Sequence, residues 1–257
     1  MKCMYKIIPV LAVVLPMLYC IQGCTSSEKT TAPEGLVEGS VGIAADLSMK
    51  ADPDDIGPLR FRMQAWTTGI DPELAFDFTW YSSTGSVNEP VRMIPGTYDI
   101  LFWADRQPEE QSEELYYDTE SLKSVNVVNP VNNLYTHGDC REAFCGVLES
   151  QEFISGTDLT VTLSRPLAKL MIKVPDGKEI SEVSYDSLLS TFDVYEGSAS
   201  SGGPVSCNNL RVSEFTDYVF PGAMTVTIKY GSNETRTVGL NAETLKANYI
   251  TNITISE

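Results

Sequence analysis

The chain has 257 residues, and its 18 basic and 35 acidic side chains give a formal net charge of −17 at pH 7. Such an acidic chain is a poor partner for nucleic acid, whose phosphates attract a basic surface, and for anionic lipid headgroups. Hydrophobic residues make up 42% of the sequence, which is enough to build a folded core.

The first 23 residues are predicted to be an export signal. A short basic start precedes an apolar run from Ile7 to Tyr19, which Pro9 and Pro16 interrupt, so a stable membrane-spanning helix is not expected. The run leads to Ile21-Gln22-Gly23-Cys24, which resembles the lipobox of bacterial lipoproteins. That resemblance implies cleavage before Cys24 and lipid on its thiol, which would hold the chain to a membrane. An ordinary signal peptide with incidental cysteines is the alternative.

Residues 24–35 are predicted to be a lipidated flexible tether, because they are polar and offer no large apolar side chain. Beyond them, short runs of alternating apolar and polar residues predict strands. The predicted strands cover residues 59–66, 91–94, 98–103, 125–127, 160–163, 168–174, 183–194, 224–230 and 250–255.

The strand pattern predicts an all-β chain of two antiparallel β-sandwich domains. The boundary is placed at Leu163-Ser164-Arg165-Pro166, so that the domains cover residues 36–163 and 164–257. Helix signals are weak, and residues 139–144 are expected to form one turn at most. The glycine-rich run 197–204 predicts a flexible loop tip.

Three cysteines remain after cleavage and lipidation: Cys140, Cys145 and Cys207. Cys140 and Cys145 could form a disulfide if a turn brings their Cα atoms to roughly 5.5–6 Å. Buried free thiols are the alternative for that pair, and we expect a buried free thiol for Cys207.

No residue pattern predicts an enzyme or a cofactor. His137 is the only histidine, and the sequence has no Gly-x-Ser-x-Gly elbow, so a catalytic triad is not expected. His137, Cys140 and Cys145 supply three metal-ligand side chains, whereas structural zinc sites use four. We therefore predict no metal site.

Two weaker signals concern sugars. Trp80 and Tyr81 precede a predicted loop and form the candidate glycan contact, whereas Trp66 and Trp103 end predicted strands and are expected in the core. Asp186-Ser187-Leu188 resembles the Asp-Ser/Thr-aliphatic pattern of O-glycosylation in Bacteroides. Ser187 is therefore a candidate O-glycosylation site.

Several segments, in this order, resemble the fimbrillin-like lipoproteins of Bacteroidota, in particular the group near the minor-fimbrium anchor subunits. They are Trp103-Ala104-Asp105, Tyr116-Tyr117-Asp118-Thr119, Asp139-Cys140-Arg141-Glu142-Ala143-Phe144, Leu163-Ser164-Arg165-Pro166-Leu167-Ala168-Lys169-Leu170 and Asn248-Tyr249-Ile250-Thr251-Asn252-Ile253. The third and fourth are the most specific.

The resemblance implies two sandwiches of the transthyretin-like or immunoglobulin-like type and pilin-like partner subunits. In such assemblies a partner's terminal segment fills a groove that lacks a strand. Shaft pilins of the family are cut in a loop near the N-terminal strand, and no such loop is recognised here because Arg60 and Arg62 lie in a predicted strand. The sequence also ends directly after its last predicted strand, which suits a terminal position in a pilus.

The sequence therefore predicts a non-enzymatic, surface-exposed lipoprotein of the outer membrane, acting as an anchor or accessory subunit of a fimbrium-like assembly joined by strand complementation. The alternative is a surface lipoprotein that binds glycan. An open sheet edge lined by apolar residues would mark the place where a partner strand could bind.

Overall fold

A computed structural model describes residues 35–48, 57–128 and 135–256 of the chain. The predicted signal peptide, Cys24 and nearly all of the predicted tether lie outside these residues. Among the described residues, no helix has the length and apolar character needed to cross a membrane.

The first half of the described chain contains nine strands. They are β1 (Val37–Ala45), β2 (Leu59–Thr67), β3 (Leu74–Ser82), β4 (Ser86–Met93), β5 (Gly96–Asp105), β6 (Tyr117–Asp118), β7 (Val125–Val127), β8 (Ala143–Phe153) and β9 (Asp158–Leu163). β1 lies between β4, to which it is antiparallel, and β9, to which it is parallel. An antiparallel sheet of order β3-β2-β5-β8 faces this three-stranded sheet across a shared core. These seven strands are the N-terminal sandwich.

The second half contains seven strands. They are β10 (Ala168–Lys173), β11 (Ile180–Asp193), β12 (Ser198–Val212), β13 (Glu214–Val219), β14 (Met224–Tyr230), β15 (Glu234–Leu240) and β16 (Ile250–Thr254). β10 lies between antiparallel β13 and parallel β16, and β11 pairs with β12 and β14, which in turn pairs with β15. These strands are the C-terminal sandwich.

The two sandwiches share one strand order. In each, the first strand is the centre of a three-stranded sheet, antiparallel to the fourth strand and parallel to the last. The second strand pairs with the third and fifth, and the fifth pairs with the sixth. The chain thus repeats a seven-strand topology, although its sequence shows no repeat.

One insertion links the two sandwiches. Between β5 and β8, the chain crosses over and forms β6 and β7, and β7 pairs with the far end of β11 in the C-terminal sandwich. Residues 114–122, which include β6, cover the outer face of β2 through hydrogen bonds to Arg60, Arg62 and Gln64. Tyr117 in this segment packs its ring on Trp103 of β5. As a result, both faces of β5 are buried, with Ile100 and Phe102 facing one core and Leu101 and Trp103 facing another.

Three hydrophobic cores follow from this arrangement. One fills the N-terminal sandwich, one fills the C-terminal sandwich, and a third lies where they meet. The third core contains Trp103, Tyr117, Phe192 and Phe220, with the Phe192 and Phe220 rings stacked at a centroid distance of 5.0 Å. Residues Gly35–Glu257 accordingly form one compact unit.

The predicted all-β sandwich fold is confirmed, with the difference that each three-stranded sheet contains a parallel pair. The domain boundary at residues 163–164 stays a prediction. Trp103 is fully buried as expected, whereas Trp66 is only partly buried, with the Lys123 Nζ 4.3 Å from its ring centroid.

The run predicted to be a flexible loop tip, residues 197–204, is instead mostly part of β12, so that prediction is wrong. Gly202, Gly203 and Pro204 are tolerated because β12 is an edge strand, where a missing N–H or side chain costs little. The partner strand β11 compensates with a bulge between Tyr185 and Leu188.

Candidate assembly site

The two most specific family segments contact each other where the sandwiches meet. Glu142 lies just before β8, and Arg165 lies between β9 and β10. Arg165 Nη2 donates to Glu142 Oε1 at 2.5 Å, and Arg106 Nη2 donates to Glu142 Oε2 at 2.7 Å. Lys169 Nζ donates to Asp139 Oδ1 at 3.0 Å and forms a second, more exposed link between the same segments.

Arg165 also contacts the last of the family segments. Its Nη1 donates to Asn248 Oδ1 at 2.8 Å, and its guanidinium lies 4.8 Å from the Phe144 ring centroid. The Arg165 and Glu142 side chains are both essentially inaccessible to solvent. Three segments that are distant in sequence are therefore held together by one buried cation.

A second buried network surrounds Asp217 on β13. The Tyr185 hydroxyl donates to Asp217 Oδ2 at 2.9 Å, and the Tyr218 N–H donates to Oδ1 at 2.9 Å. Arg141 lies nearby, with its Nε 3.9 Å from Asp217 Oδ1 and its guanidinium 4.3 Å from the Tyr135 ring centroid. Burial raises the pKa of the Asp217 carboxyl, and the charge of Arg141 opposes that rise.

These two networks of buried charged groups hold distant segments of the fold together. Removing charges from water is costly, so they persist only because each is closely paired. Within the described part of the chain, no three His, Cys, Asp or Glu side chains are arranged to hold a metal ion. The His137 ring packs on Phe215 at a centroid distance of 4.5 Å, and its Nδ1 lies 3.3 Å from the Thr216 carbonyl oxygen.

Cys140, Cys145 and Cys207 are free thiols in the structure. A Cys140–Cys145 disulfide stays a prediction. Cys140 belongs to a 3-10 turn (Asp139–Arg141), whereas Cys145 is on β8 opposite Trp103 and forms a backbone bridge to Ser164.

The first strand, β1, completes the N-terminal sandwich. It has eight register partners on β4 and six on β9. Val41 is fully buried and Ile43 is 2% exposed, because both face the core. Gly39 faces the same core, and a Cβ there would come within 2.7 Å of the Phe153 ring and 2.6 Å of the Thr157 oxygen. A side chain is excluded at Gly39 because β1 is packed so closely.

The β3 edge of the four-stranded N-terminal sheet carries half-buried aromatic rings. Phe76, Phe78 and Trp80 alternate along β3 and pack against the core, with ring centroids separated by 6.4 and 5.6 Å. β3 pairs with β2 alone in the described residues. This edge therefore presents an apolar row that is only partly covered, which we call the aromatic edge.

The candidate glycan residues Trp80 and Tyr81 do not face the same way. Adjacent residues of a strand point to opposite faces of its sheet. Trp80 packs on the core side, with its ring parallel to that of Phe78 at an interplanar angle of 2°, so Tyr81 projects from the other face. A single sugar ring cannot stack on both, and a glycan contact stays a prediction for either ring alone.

Ser187 is exposed on β11, in the bulge opposite Pro204. The neighbouring Asp186 Oδ1 accepts a hydrogen bond from the Thr225 N–H at 2.6 Å, which lowers the pKa of the Asp186 carboxyl. The Ser187 hydroxyl is thus accessible to a modifying enzyme, and its O-glycosylation stays a prediction.

β12 is the longest edge strand of the protein as described. It spans 15 residues, of which Arg211 alone is charged, and it pairs only with β11. Edge strands usually carry charges that prevent unwanted pairing. Its length and the scarcity of charge make the free edge of β12 a candidate for adding a partner strand.

Comparison with protein families decides where this chain belongs. Residues 40–251 match the model of a family described as a family of unknown function, DUF6562. The chain belongs to the DUF6562 family. No curated protein sequence matches it.

Solved structures share the fold of this DUF6562 chain at low sequence identity. A fimbrial assembly protein from Parabacteroides distasonis is 11% identical, with 85% of this chain and 90% of that chain covered and a TM-score of 0.51. A candidate adhesin from Bacteroides ovatus is 10% identical, with coverage of 85% and 89% and a TM-score of 0.53. A candidate polysaccharide-binding protein from Bacteroides thetaiotaomicron is 11% identical, with coverage of 85% and 90% and a TM-score of 0.53.

The predicted resemblance to fimbrial proteins of Bacteroidota is therefore confirmed at the level of the fold. Sequence reasoning found the two family segments but not their contact, because Glu142 and Arg165 are separated by 23 residues. It also missed Asp217 and Gly39. An aspartate within an apolar run and a glycine within a strand are the signals that could have indicated them.

Proposed function

We propose that this chain is a non-enzymatic lipoprotein of the bacterial cell surface that serves as an anchor or accessory subunit of a fimbrium-like assembly. Lipid on Cys24 would hold it to the outer membrane, and pilin-like subunits would be its protein partners. The assembly would be joined by strand complementation, in which backbone hydrogen bonds supply much of the contact.

The observation that carries this proposal is the position of β1. The strand nearest the predicted lipid site already occupies the centre of its sheet, with Val41 and Ile43 in the core. The N-terminal sandwich therefore has no vacant strand position there. Such a subunit suits the base of a fibre, where nothing has to be inserted on the membrane side.

A partner strand would then have to bind another edge, and β12 supports this best. Its free edge is long and carries one charged residue. Lysine on an edge strand opposes pairing with a further strand. Introducing Ser200→Lys and Asn208→Lys together should therefore block strand addition at β12.

Co-purification of the full chain from native membranes tests the assembly role. We expect a fimbrial subunit in near-stoichiometric amount, lost in the Ser200→Lys/Asn208→Lys chain and retained in a control with Thr237→Lys on the edge strand β15. Recovery of no pilin-like subunit with the unsubstituted chain would count against the assembly role. Equal recovery of the fimbrial subunit with both variants would count against β12 as the strand that accepts the partner.

Mass spectrometry of the membrane form tests the anchor. The N-terminal peptide should begin at Cys24 and carry acyl chains. Cys24→Ser should release the chain from the membrane without changing its melting temperature, because every described contact lies within Gly35–Glu257.

A second candidate is glycan binding, which the aromatic edge favours. Aromatic faces that are only half-buried, as at Phe76, Phe78 and Trp80, can stack on sugar rings. A soluble form of the chain that lacks residues 1–35 should then bind polysaccharide. If it binds none, this candidate function is removed.

A further inference from the structure

Large apolar side chains are concentrated at one end of the N-terminal sandwich. Seven large hydrophobic side chains are exposed in the described residues, and four of them, Ile70, Leu74, Ile94 and Ile154, lie at this end. We call it the isoleucine end. Ile70 is 98% exposed, and Ile94 and Ile154 are each about half exposed at 47% and 51%.

Strand pairing places side by side the three loops that carry Ile70, Ile94 and Ile154, which we call the isoleucine loops. The loop with Ile70 follows Thr67, which pairs with Tyr98 near the start of β5. The Ile94 turn leads directly into β5, whose first residue Gly96 pairs with Phe153 at the end of β8. Ile154 follows Phe153 at once. Each loop therefore adjoins the next across neighbouring strands.

Local hydrogen bonds hold the isoleucine loops in place. Thr67 N–H donates to the Glu73 carbonyl at 2.9 Å and closes the loop around Ile70. The Tyr98 hydroxyl donates to the Ile94 carbonyl at 2.8 Å, and the Ile154 N–H donates to Thr157 Oγ1 at 2.9 Å. The apolar tips are thus presented by ordered turns, which lowers the entropy cost of binding through them.

The chain enters the described fold at this same end. Gly35 stands two residues before β1, and the Glu38 carbonyl accepts a hydrogen bond from the Gly156 N–H at 2.8 Å, beside Ile154. Gly35 is the eleventh residue after Cys24, and a chain of that length spans at most roughly 36–40 Å. Lipid on Cys24 would therefore keep the isoleucine end within that distance of the bilayer.

We propose that the isoleucine end rests on the surface of the lipid bilayer, with Ile70, Ile94 and Ile154 contacting the boundary between headgroups and acyl chains. The proposal rests on the anchoring role of Cys24. The exposed carboxylates of Asp71, Glu73 and Glu152 lie within three residues of these tips in the sequence, so the preferred surface is one of zwitterionic rather than anionic lipid.

Depth-sensitive fluorescence quenching tests this contact. Chains beginning at Thr25 retain every described contact. A hexahistidine tag in place of Cys24 would tether them to phosphatidylcholine vesicles that contain nickel-chelating lipid and brominated acyl chains. Ile70→Trp places the probe at the isoleucine end. Ser83→Trp places it in the exposed β3–β4 loop, which lies at the other end of β1 because the Ala45 N–H donates to the Gly85 carbonyl.

We expect the emission added by Ile70→Trp to be quenched at least twice as strongly as that added by Ser83→Trp, after subtraction of the unsubstituted chain. Equal quenching would overturn the proposal. So would dimers of the chain that dissociate when Ile70, Ile94 and Ile154 are all replaced by serine, because the partner would then be a second copy. The tag supplies the tether, so a failure of native acylation at Cys24 appears separately, in the mass of the membrane form.

Discussion

The Glu142 carboxylate lies between two arginines, and its contact with Arg165 joins the segment before β8 to the linker between β9 and β10. Both side chains of the Glu142–Arg165 pair are buried, and Asn248 and Phe144 complete the surroundings of the guanidinium. Through this contact, the two most specific family segments fix the two sandwiches to each other.

Glu142→Ala should strongly destabilise the protein. The substitution leaves the Arg165 and Arg106 charges without their carboxylate, and breaking a buried pair typically costs about 3–5 kcal/mol. Urea denaturation should show the loss as a lower midpoint. Glu38→Ala is the matched control, because Glu38 pairs with Arg92 on the surface and exposed pairs contribute about 0–1 kcal/mol. Equal effects of the two substitutions would contradict the assignment.

Gly39→Ala should destabilise the N-terminal sandwich by about 1–3 kcal/mol, because the added methyl group would overlap the Phe153 ring and the Thr157 oxygen. Gly42→Ala is the control on the same strand, where the nearest atoms are 3.8 and 3.9 Å from the new Cβ. Thermal unfolding of the two variants measures the difference. Identical melting temperatures would mean that β1 is not packed in the sheet as described.

The thiols should resist alkylation while the protein is folded. Burial raises the pKa of Cys145 and of Cys207 from 9.0 to about 12, so each holds roughly a thousandfold less thiolate at pH 8 than an ordinary thiol. Iodoacetamide at pH 8 should leave both unmodified until urea is added, as read by peptide mass. A folded-state mass lower by two hydrogens would instead indicate a Cys140–Cys145 disulfide.

Trp80→Ala separates the two candidate functions. If the aromatic edge binds polysaccharide, this substitution should weaken binding roughly two- to tenfold, since stacking on an aromatic ring contributes about 0.5–1.5 kcal/mol. Tyr81→Ala is the control, because its side chain points from the other face of the sheet. Binding is read by affinity electrophoresis. Equal weakening by both variants, or by neither, would remove Trp80 from the glycan hypothesis.

Strand periodicity in the sequence predicted three strands to within one residue of their observed ends. β14 matches the predicted residues 224–230, and β2 and β16 differ from their predictions by one residue. In β14, buried apolar side chains alternate with more exposed polar ones, because one face of the strand packs on the core. β2 alternates in sequence as well, although Arg60 and Gln64 on its polar face are also buried. β5 was predicted from residue 98, although both of its faces are buried, because its run of apolar residues is nearly continuous.

The candidate site was less predictable, because it depends on contacts between distant segments. Arg165 was recognised only as part of a family segment, and its buried position follows from partners 23 and 83 residues away. Gly202 to Pro204 suggested a loop, since local sequence does not show that a bulge in β11 makes room for them. Pairing partners, rather than local propensity, decided both cases.

The placement of β1 has a mechanical consequence. The strand is hydrogen-bonded on both sides, to β4 and β9. Tension applied to its N-terminal end along the strand direction acts in shear, so the bonds on both flanks are loaded simultaneously. A strand peeled from a sheet edge, such as β12, would lose its bonds one after another at much lower force. A tether attached at β1 therefore resists tension along the strand better than a tether attached at an edge strand would.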